Sequence, residues 1–291
     1  MIARGGPATI GQWAAEYAVL RPIAPGTAEQ LAITARVFER WAGGPVRLDE
    51  LDERAVIQWL RDLATKRSPA TVRSKRVGLL LLWRAAADEG LCDPPLRRVR
   101  TGRVPLRPPE AWDAGEVERI MAACAALKRW HPCGLRRSEW WTLAISVAWD
   151  TALRWSDQML LPVAAIREDR SAWVLQHKTQ TPQLVRFRES TVELLRTSLE
   201  HASRSLVTPW PASHQTFARQ FASIVAAAGV RRGSWKWLRR SSGTDAERQE
   251  RGAGARQLGH RPGSRIAALN YLDERICGTD WQRPRPLLPP R

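Results

Sequence analysis

Between Thr9 and Gly90 apolar residues return every three or four positions, the spacing of helices that each bury one stripe. Ile10, Trp13, Ala14, Tyr17 and Leu20 make a first stripe, and a second helix is expected from Gly26 to Trp41, stopped by Gly43-Gly44. A third begins near Leu51 with Ala55, Val56, Trp59, Leu60 and Leu63 on one face. Ser68-Pro69 places a capping hydroxyl before a proline at the first helical position, so a fourth runs from there to about Glu89. Four such helices form a small bundle. The fourth mixes Arg73, Lys75 and Arg76 with Val77, Leu80, Leu81 and Trp83, which suits either a solvated basic face or a face laid on a polyanion.

The pattern changes at Arg97. From there to Pro109 the chain carries Arg97, Arg98, Arg100, Arg103 and Arg107, no acid, and prolines at 105, 108 and 109. Prolines keep such a stretch out of helices, so residues 97–110 are expected to be a basic linker between a domain at 1–96 and another at 111–277. Asp113 followed by Glu116 predicts a helix start, with that helix reaching Leu127. Apolar helical segments then cover Ser138–Trp149 and Leu153–Leu161. The period switches to two at Val163–Ile166, Ala172–Leu175 and Leu184–Phe187, three short runs expected to pair as antiparallel strands. Helices resume at Thr191–His201, Ser213–Gly229, Trp235–Gln249, Ala253–Leu258 and Ser264–Asp273, and residues 278–291, with four prolines, read as an extended tail. The fold class is mainly α with a small antiparallel β-sheet: a helical bundle followed by an α+β domain.

Charge narrows the function. The 291 residues carry 46 Lys and Arg against 29 Asp and Glu, a net +17, which favours a polyanionic partner, most simply the phosphate backbone of a nucleic acid. The longest apolar run, Val77 to Trp83, is far short of a membrane span. The first ten residues have no apolar segment of the secretory kind, and the four cysteines show no paired spacing, so a cytoplasmic protein with reduced thiols is expected.

Candidate chemistry gathers late in the chain. Tyrosine occurs only at positions 17 and 271. Tyr271 follows Lys236-Trp237-Leu238-Arg239-Arg240 and Leu258-Gly259-His260; upstream lie Arg154, Asp157 and, in His177-Lys178-Thr179, Lys178. Cleaving a phosphodiester with a side-chain nucleophile needs fixed cations for the charge on the non-bridging oxygens, an ionisable attacking group and a proton for the leaving oxygen. Arginine forks suit the first task, and cations beside a phenol lower its pKa from about 10. Singly, each residue has an ordinary reading as a solvated cation, a helix stop or a core-edge ring. Their order carries the argument. No histidine pair has metal-ligand spacing and there is no glycine-rich phosphate loop, so no metal or nucleotide cofactor is expected.

In that order the chain resembles the tyrosine recombinase (phage integrase) family over nearly its whole length. Thr151-Ala152-Leu153-Arg154-Trp155-Ser156-Asp157 is similar to the first arginine box, Lys178 to the hairpin lysine, Lys236-Trp237-Leu238-Arg239 to the His-x-x-Arg box, Leu258-Gly259-His260 to the third box, and Tyr271 to the nucleophile. The resemblance implies that the N-terminal bundle is a SAM-like core-binding domain, closing on double-stranded DNA with the catalytic domain. Arg154 and Arg239 would hold the scissile phosphate, with Asp157 orienting the arginines. Lys178 would protonate the departing 5′ oxygen, His260 would bond a non-bridging oxygen, and Tyr271 would form a 3′-phosphotyrosyl link that conserves the bond energy. Arg73, Lys75, Arg76, Arg97, Arg98, Arg100 and Arg103 are the expected DNA contacts, and a homo-tetramer on DNA is the expected assembly. Lys236 departs from the family's histidine; the related type IB topoisomerases place lysine there, so relaxation of DNA and a DNA-binding relative without catalysis stay open beside recombination. Deleting residues 278–291 is expected to spare single-strand cleavage and weaken oligomerisation on DNA, measured by gel shift and sedimentation; assembly equal to the full chain's would reject a docking role for the tail.

Overall fold

Side-chain caps start the first helices where the sequence places them. Thr9 accepts from the Gln12 backbone N–H and Gln12 answers to the Thr9 N–H, opening α1 (Ile10–Leu20). Proline opens α2 (Pro25–Ala42), which Gly43 ends in the left-handed conformation at φ 89°. Asp52 caps α3 (Glu53–Lys66) and Ser68 caps α4 (Pro69–Asp88). The computed structural model describes residues 9–96, 99–105, 107–260 and 265–277. It divides into two compact units, Met1–Leu106 and Arg107–Arg291.

In the first unit the apolar stripes meet in one core around Ile10, Trp13, Phe38, Trp59, Leu79 and Leu82. Phe38 meets Trp59 edge-on at 5.1 Å, and the Trp13 indole donates to the Leu82 carbonyl at 2.9 Å. Val99, within the stretch expected as linker, is buried in this core, and Arg76 Nε donates to its carbonyl at 2.7 Å. Arg97, Arg98 and the tail 278–291 lie outside the described residues.

The second unit is organised on α6 (Arg137–Thr151), which is apolar nearly all round and therefore has a core on either side. On one side Trp140 and Trp141 pack with Phe217, Phe221 and Trp235, and Phe217 lies 4.9 Å from Trp235, edge-on. These rings come from α9 (His214–Ala227) and α10 (Trp235–Gln249). Before them, α5 (Ala114–Cys124) opens on the Asp113–Glu116 capping box and stops short of Leu127. On the other side Leu143 and Val147 cover the sheet. That sheet has two strands, β1 (Ser171–Leu175) and β2 (Pro182–Arg186), antiparallel with Ala172 opposite Val185 and Val174 opposite Gln183.

The third expected strand is not formed. Val163–Ala165 is a 3₁₀ turn. Its approach spends its backbone groups elsewhere: Val163 N–H donates to the Ser205 carbonyl and Val207 N–H to the Leu161 carbonyl, leaving β1 only β2 to pair with. The expected Leu153–Leu161 helix is likewise shorter, α7 (Trp155–Met159), because α6 ends on Ala152 in a left-handed turn that puts Arg154 just before the new helix. Then follow α8 (Glu189–His201), α11 (Ala253–Gln257), α12 (Arg265–Asn270), which lies within the helix expected over Ser264–Asp273, and α13 (Glu274–Cys277) just beyond it. Asp273 stands at the start of α13, accepting from the Arg275 N–H.

α10 and α11 touch through glycines. A Cβ on Gly254 would lie 2.5 Å from the Gly243 carbonyl oxygen, and one on Gly243 would press on Leu258. Gly254→Ala is expected to lower stability by about 1–3 kcal/mol through overpacking, read as an earlier urea midpoint; an unchanged midpoint would show that the helices have slack.

Candidate active site

Three breaks in regular structure bring the candidate residues together. The first is the left-handed turn at Ala152, φ 47°, a conformation that costs a residue with a Cβ. It swings the chain from α6 so that Arg154 sits at the start of α7. The second is the turn between β1 and β2, where Lys178 is exposed. The third is the end of α11, where Gly259 N–H reaches the Arg256 carbonyl and His260 N–H the Ala255 carbonyl, with Gly259 left-handed at φ 65°. Leu258-Gly259-His260 is thus a helix stop that also aims a histidine.

Arg239 ties the first and third of these breaks to one another. It lies on α10, one helical turn from Lys236, and is only 4% exposed. Its Nη1 donates to the Ala152 carbonyl and its Nη2 to the Leu258 carbonyl at 2.6 Å. The same segments supply Ala152, Ala255, Leu258 and Ala267 to a small core on which Tyr271 rests. Burial, and then Arg154, push the Arg239 pKa down to about 10, which still leaves it charged at neutral pH.

Tyr271 is ringed by cations and a histidine. The Arg239 guanidinium carbon is 5.2 Å and the Lys236 ammonium 5.3 Å from its ring centre, and the His260 ring is 5.3 Å away. Burial opposes ionisation of the phenol, but Arg239, Lys236 and Arg154 outweigh it and hold the pKa below its ordinary value. Burial likewise lowers Lys236, aided by Arg240, Lys178 and Arg239, although that side chain keeps an exposed side. His260 is lowered by burial, Arg239 and Arg154, so it stands neutral at pH 7, with its Nε2 buried and without a partner among the described residues. Asp157 accepts from the His177 N–H at 2.9 Å and has Arg154 Nη1 at 3.9 Å from its other oxygen.

A cavity of about 320 Å³ opens here, lined by Arg154, Lys178, Lys236, Arg239 and Tyr271 on its charged side. Trp155, Phe217, Trp235 and His214 are the rings among the residues that line the rest. Such a cavity can take a phosphodiester oxygen cluster against the cations while the phenol approaches phosphorus. Among the described residues no group of three or more His, Cys, Asp or Glu could hold a metal ion, and no helix is long and apolar enough to cross a membrane.

The structure therefore brings together Arg154, Asp157, Lys178, Lys236, Arg239, His260 and Tyr271. The expected DNA contacts of the first unit divide. Arg73, Arg100 and Arg103 are exposed. Lys75 and Arg76 are half-buried, Lys75 donating to Thr34 at 3.2 Å and Arg76 to the Val99 carbonyl at 2.7 Å. Sequence reasoning passed over His214 and two buried amides, Gln176 and Gln183. The amides stand where strand alternation calls for apolar residues, a signal that was legible.

No family model matches the sequence, and neither does any curated protein. Solved structures do. A lambda integrase tetramer bound to a Holliday junction is similar over 96% of this chain and 81% of its own, with a TM-score of 0.73 and 19% identity. XerH site-specific recombinase bound to its difH substrate matches over 88% and 76%, at 0.65 and 17%. The Tn1549 transposon integrase in complex with circular intermediate DNA matches over 91% and 95%, at 0.65 and 14%. The chain has the tyrosine-recombinase fold. Within that fold the two-stranded sheet is small, and Arg154, Lys178, Lys236, Arg239 and Tyr271 line one cavity.

Because folded Tyr271 ionises below its unfolded value of 10.0, its ionisation stabilises the fold fully above pH 10 and that contribution is lost as pH falls through the folded pKa. Lys236→Gln is expected to move the Tyr271 midpoint up, measured by phenolate absorbance with Tyr271→Phe as the blank. A midpoint that stays put would remove Lys236 from the groups acting on the phenol.

Proposed function

We propose that this protein is a site-specific DNA recombinase that cleaves and rejoins strands through Tyr271. The observation that carries the reading is the phenol held against Arg239, Lys236 and His260 at the mouth of a cavity that Arg154 and Lys178 also line. The phenolate oxygen attacks phosphorus, a 3′-phosphotyrosyl bond forms, and the bond to the 5′ oxygen breaks. Arg154 and Arg239 hold the non-bridging oxygens as charge grows on them. Lys178, on its exposed turn, supplies the proton that the 5′ oxygen takes. His260, neutral, donates one hydrogen bond to the phosphate. In the reverse direction a 5′ hydroxyl attacks the link and Tyr271 leaves, so the chain's own residues carry both steps. No metal or nucleotide enters this scheme.

The net charge of +17 and the exposed arginines of the first unit support double-stranded DNA as the partner, bound with steep salt dependence. The DNA-bound integrase dimers and tetramers of the same fold support a homo-oligomer on DNA. Lys236 favours one second reading, a relaxing enzyme of the topoisomerase IB kind, since its lowered pKa suits it to proton transfer beside the phenol.

The test is a nicked suicide substrate carrying the sequence flanking the gene. Wild type is expected to give a covalent protein–DNA adduct on a denaturing gel, and Tyr271→Phe none, with DNA binding retained. Tight binding with no adduct from wild type would overturn cleavage and leave a DNA-binding protein. Arg239→Ala is expected to cut the cleavage rate by about 10²–10³-fold, the loss seen when a positioned charge-stabilising donor is removed.

A further inference from the structure

Behind Arg154 runs a chain of side-chain amides. Arg154 Nη1 donates to Gln176 Oε1. Gln176 Nε2 donates to Gln183 Oε1 at 2.7 Å, and Gln183 Nε2 donates to the Gln257 backbone carbonyl at 3.1 Å. Gln257 continues it, its Nε2 reaching the Asp150 carbonyl at 2.6 Å and Ser242 Oγ at 2.9 Å. Gln176 and Gln183 are 2% and 7% exposed. The direction is forced at both ends, since a guanidinium can only donate and a carbonyl can only accept. Either amide turned over would set two acceptors or two donors against each other in a buried place, at the cost of unmade bonds.

We propose that Gln176 and Gln183 are positioning residues for strand cleavage, a one-way relay that sets the Arg154 fork, the Lys178 turn and the His260 corner in register. The inference rests on the function proposed above. Each segment has its own contact with the relay. Arg154 is held directly. The turn is held because Thr179, next to Lys178, donates its hydroxyl to the same Gln176 oxygen at 3.0 Å. The corner is held because Gly259 packs on the two amides, where a Cβ would collide with both Gln183 Oε1 and Gln176 Nε2. A fork misplaced by an ångström loses much of its value in a transition state, so an indirect support of this kind carries a large kinetic effect.

Two near-isosteric variants test it. Gln176→Glu offers Gln183 Oε1 no donor and gives Arg154 a carboxylate that competes with phosphate. Gln183→Met keeps the bulk and removes the middle of the relay. In single-turnover cleavage of the nicked substrate both are expected to lose about ten- to a hundredfold in rate, with affinity for the same duplex within about twofold and with the pH midpoint of cleavage moved up, because Arg154 is among the cations acting on Tyr271. A merely structural role would move the melting temperature but not that midpoint. Wild-type rate and midpoint in folded variants would overturn the proposal. If wild type itself forms no adduct, the recombinase reading fails instead, and the relay is tested without DNA: an unchanged Tyr271 phenolate midpoint in Gln183→Met overturns it. Should neither glutamine variant fold, Thr179→Val, at an exposed position, is expected to slow cleavage about threefold by the same misplacement of the turn, and a wild-type rate there counts against the relay.

Discussion

A buried guanidinium sets the second unit in order. Arg239 has almost no access to water, and a charge placed there is costly unless its hydrogen-bonding groups are met. Two backbone carbonyls, at Ala152 and Leu258, take its two Nη groups, while its Nε is buried with no partner among the described residues. Those carbonyls belong to the two irregular turns that present Arg154 and His260, so the hydrogen bonds of one side chain fix both. The strained backbone of Ala152 is held by the same bond. Cavity, phenol and histidine all lie within reach of this one residue.

Around it the electrostatics are one-sided. Arg154, Lys178, Lys236, Arg239 and Arg240 outnumber the buried acids near them, Asp157, which faces Arg154 from 3.9 Å, and Asp273, which acts on Arg240. Such a group repels itself in the absence of an anion, and the surrounding cores keep it assembled: tryptophans and phenylalanines on one side of α6, the sheet on the other. The repulsion is relieved by ionising the phenol or by seating a phosphate. Both act in the direction that the proposed chemistry needs, which links the depressed Tyr271 pKa to the affinity for a polyanion.

The glutamines show how a small sheet can serve such a site. Two strands of five residues hold little stability alone, and their inward face ends in amides where an apolar residue would bury more surface. Amides contribute direction instead. A hydrogen-bond chain that accepts only one orientation specifies the position of Arg154 more sharply than apolar packing does.

The sequence by itself determined the helices of the first unit and their ends, since Thr9, Asp52, Ser68 and Gly43 act within a few residues of themselves. It also named the five charged and phenolic residues that line the cavity and, close by, Asp157 and His260, because their types and order are legible without coordinates. It overcounted the strands: Val163–Ile166 has the right period, but whether a run pairs depends on which distant backbone reaches it first, here 205–207. It placed Lys75 and Arg76 among the expected DNA contacts, and only the fold shows that each also gives one hydrogen bond within the first unit, to Thr34 and to the Val99 carbonyl. Only the tertiary structure decided that Arg239 is buried on two carbonyls, that Ala152 is left-handed, and that Gln176 and Gln183 join three segments. Those features are contacts between residues far apart in the chain, and no local pattern encodes them.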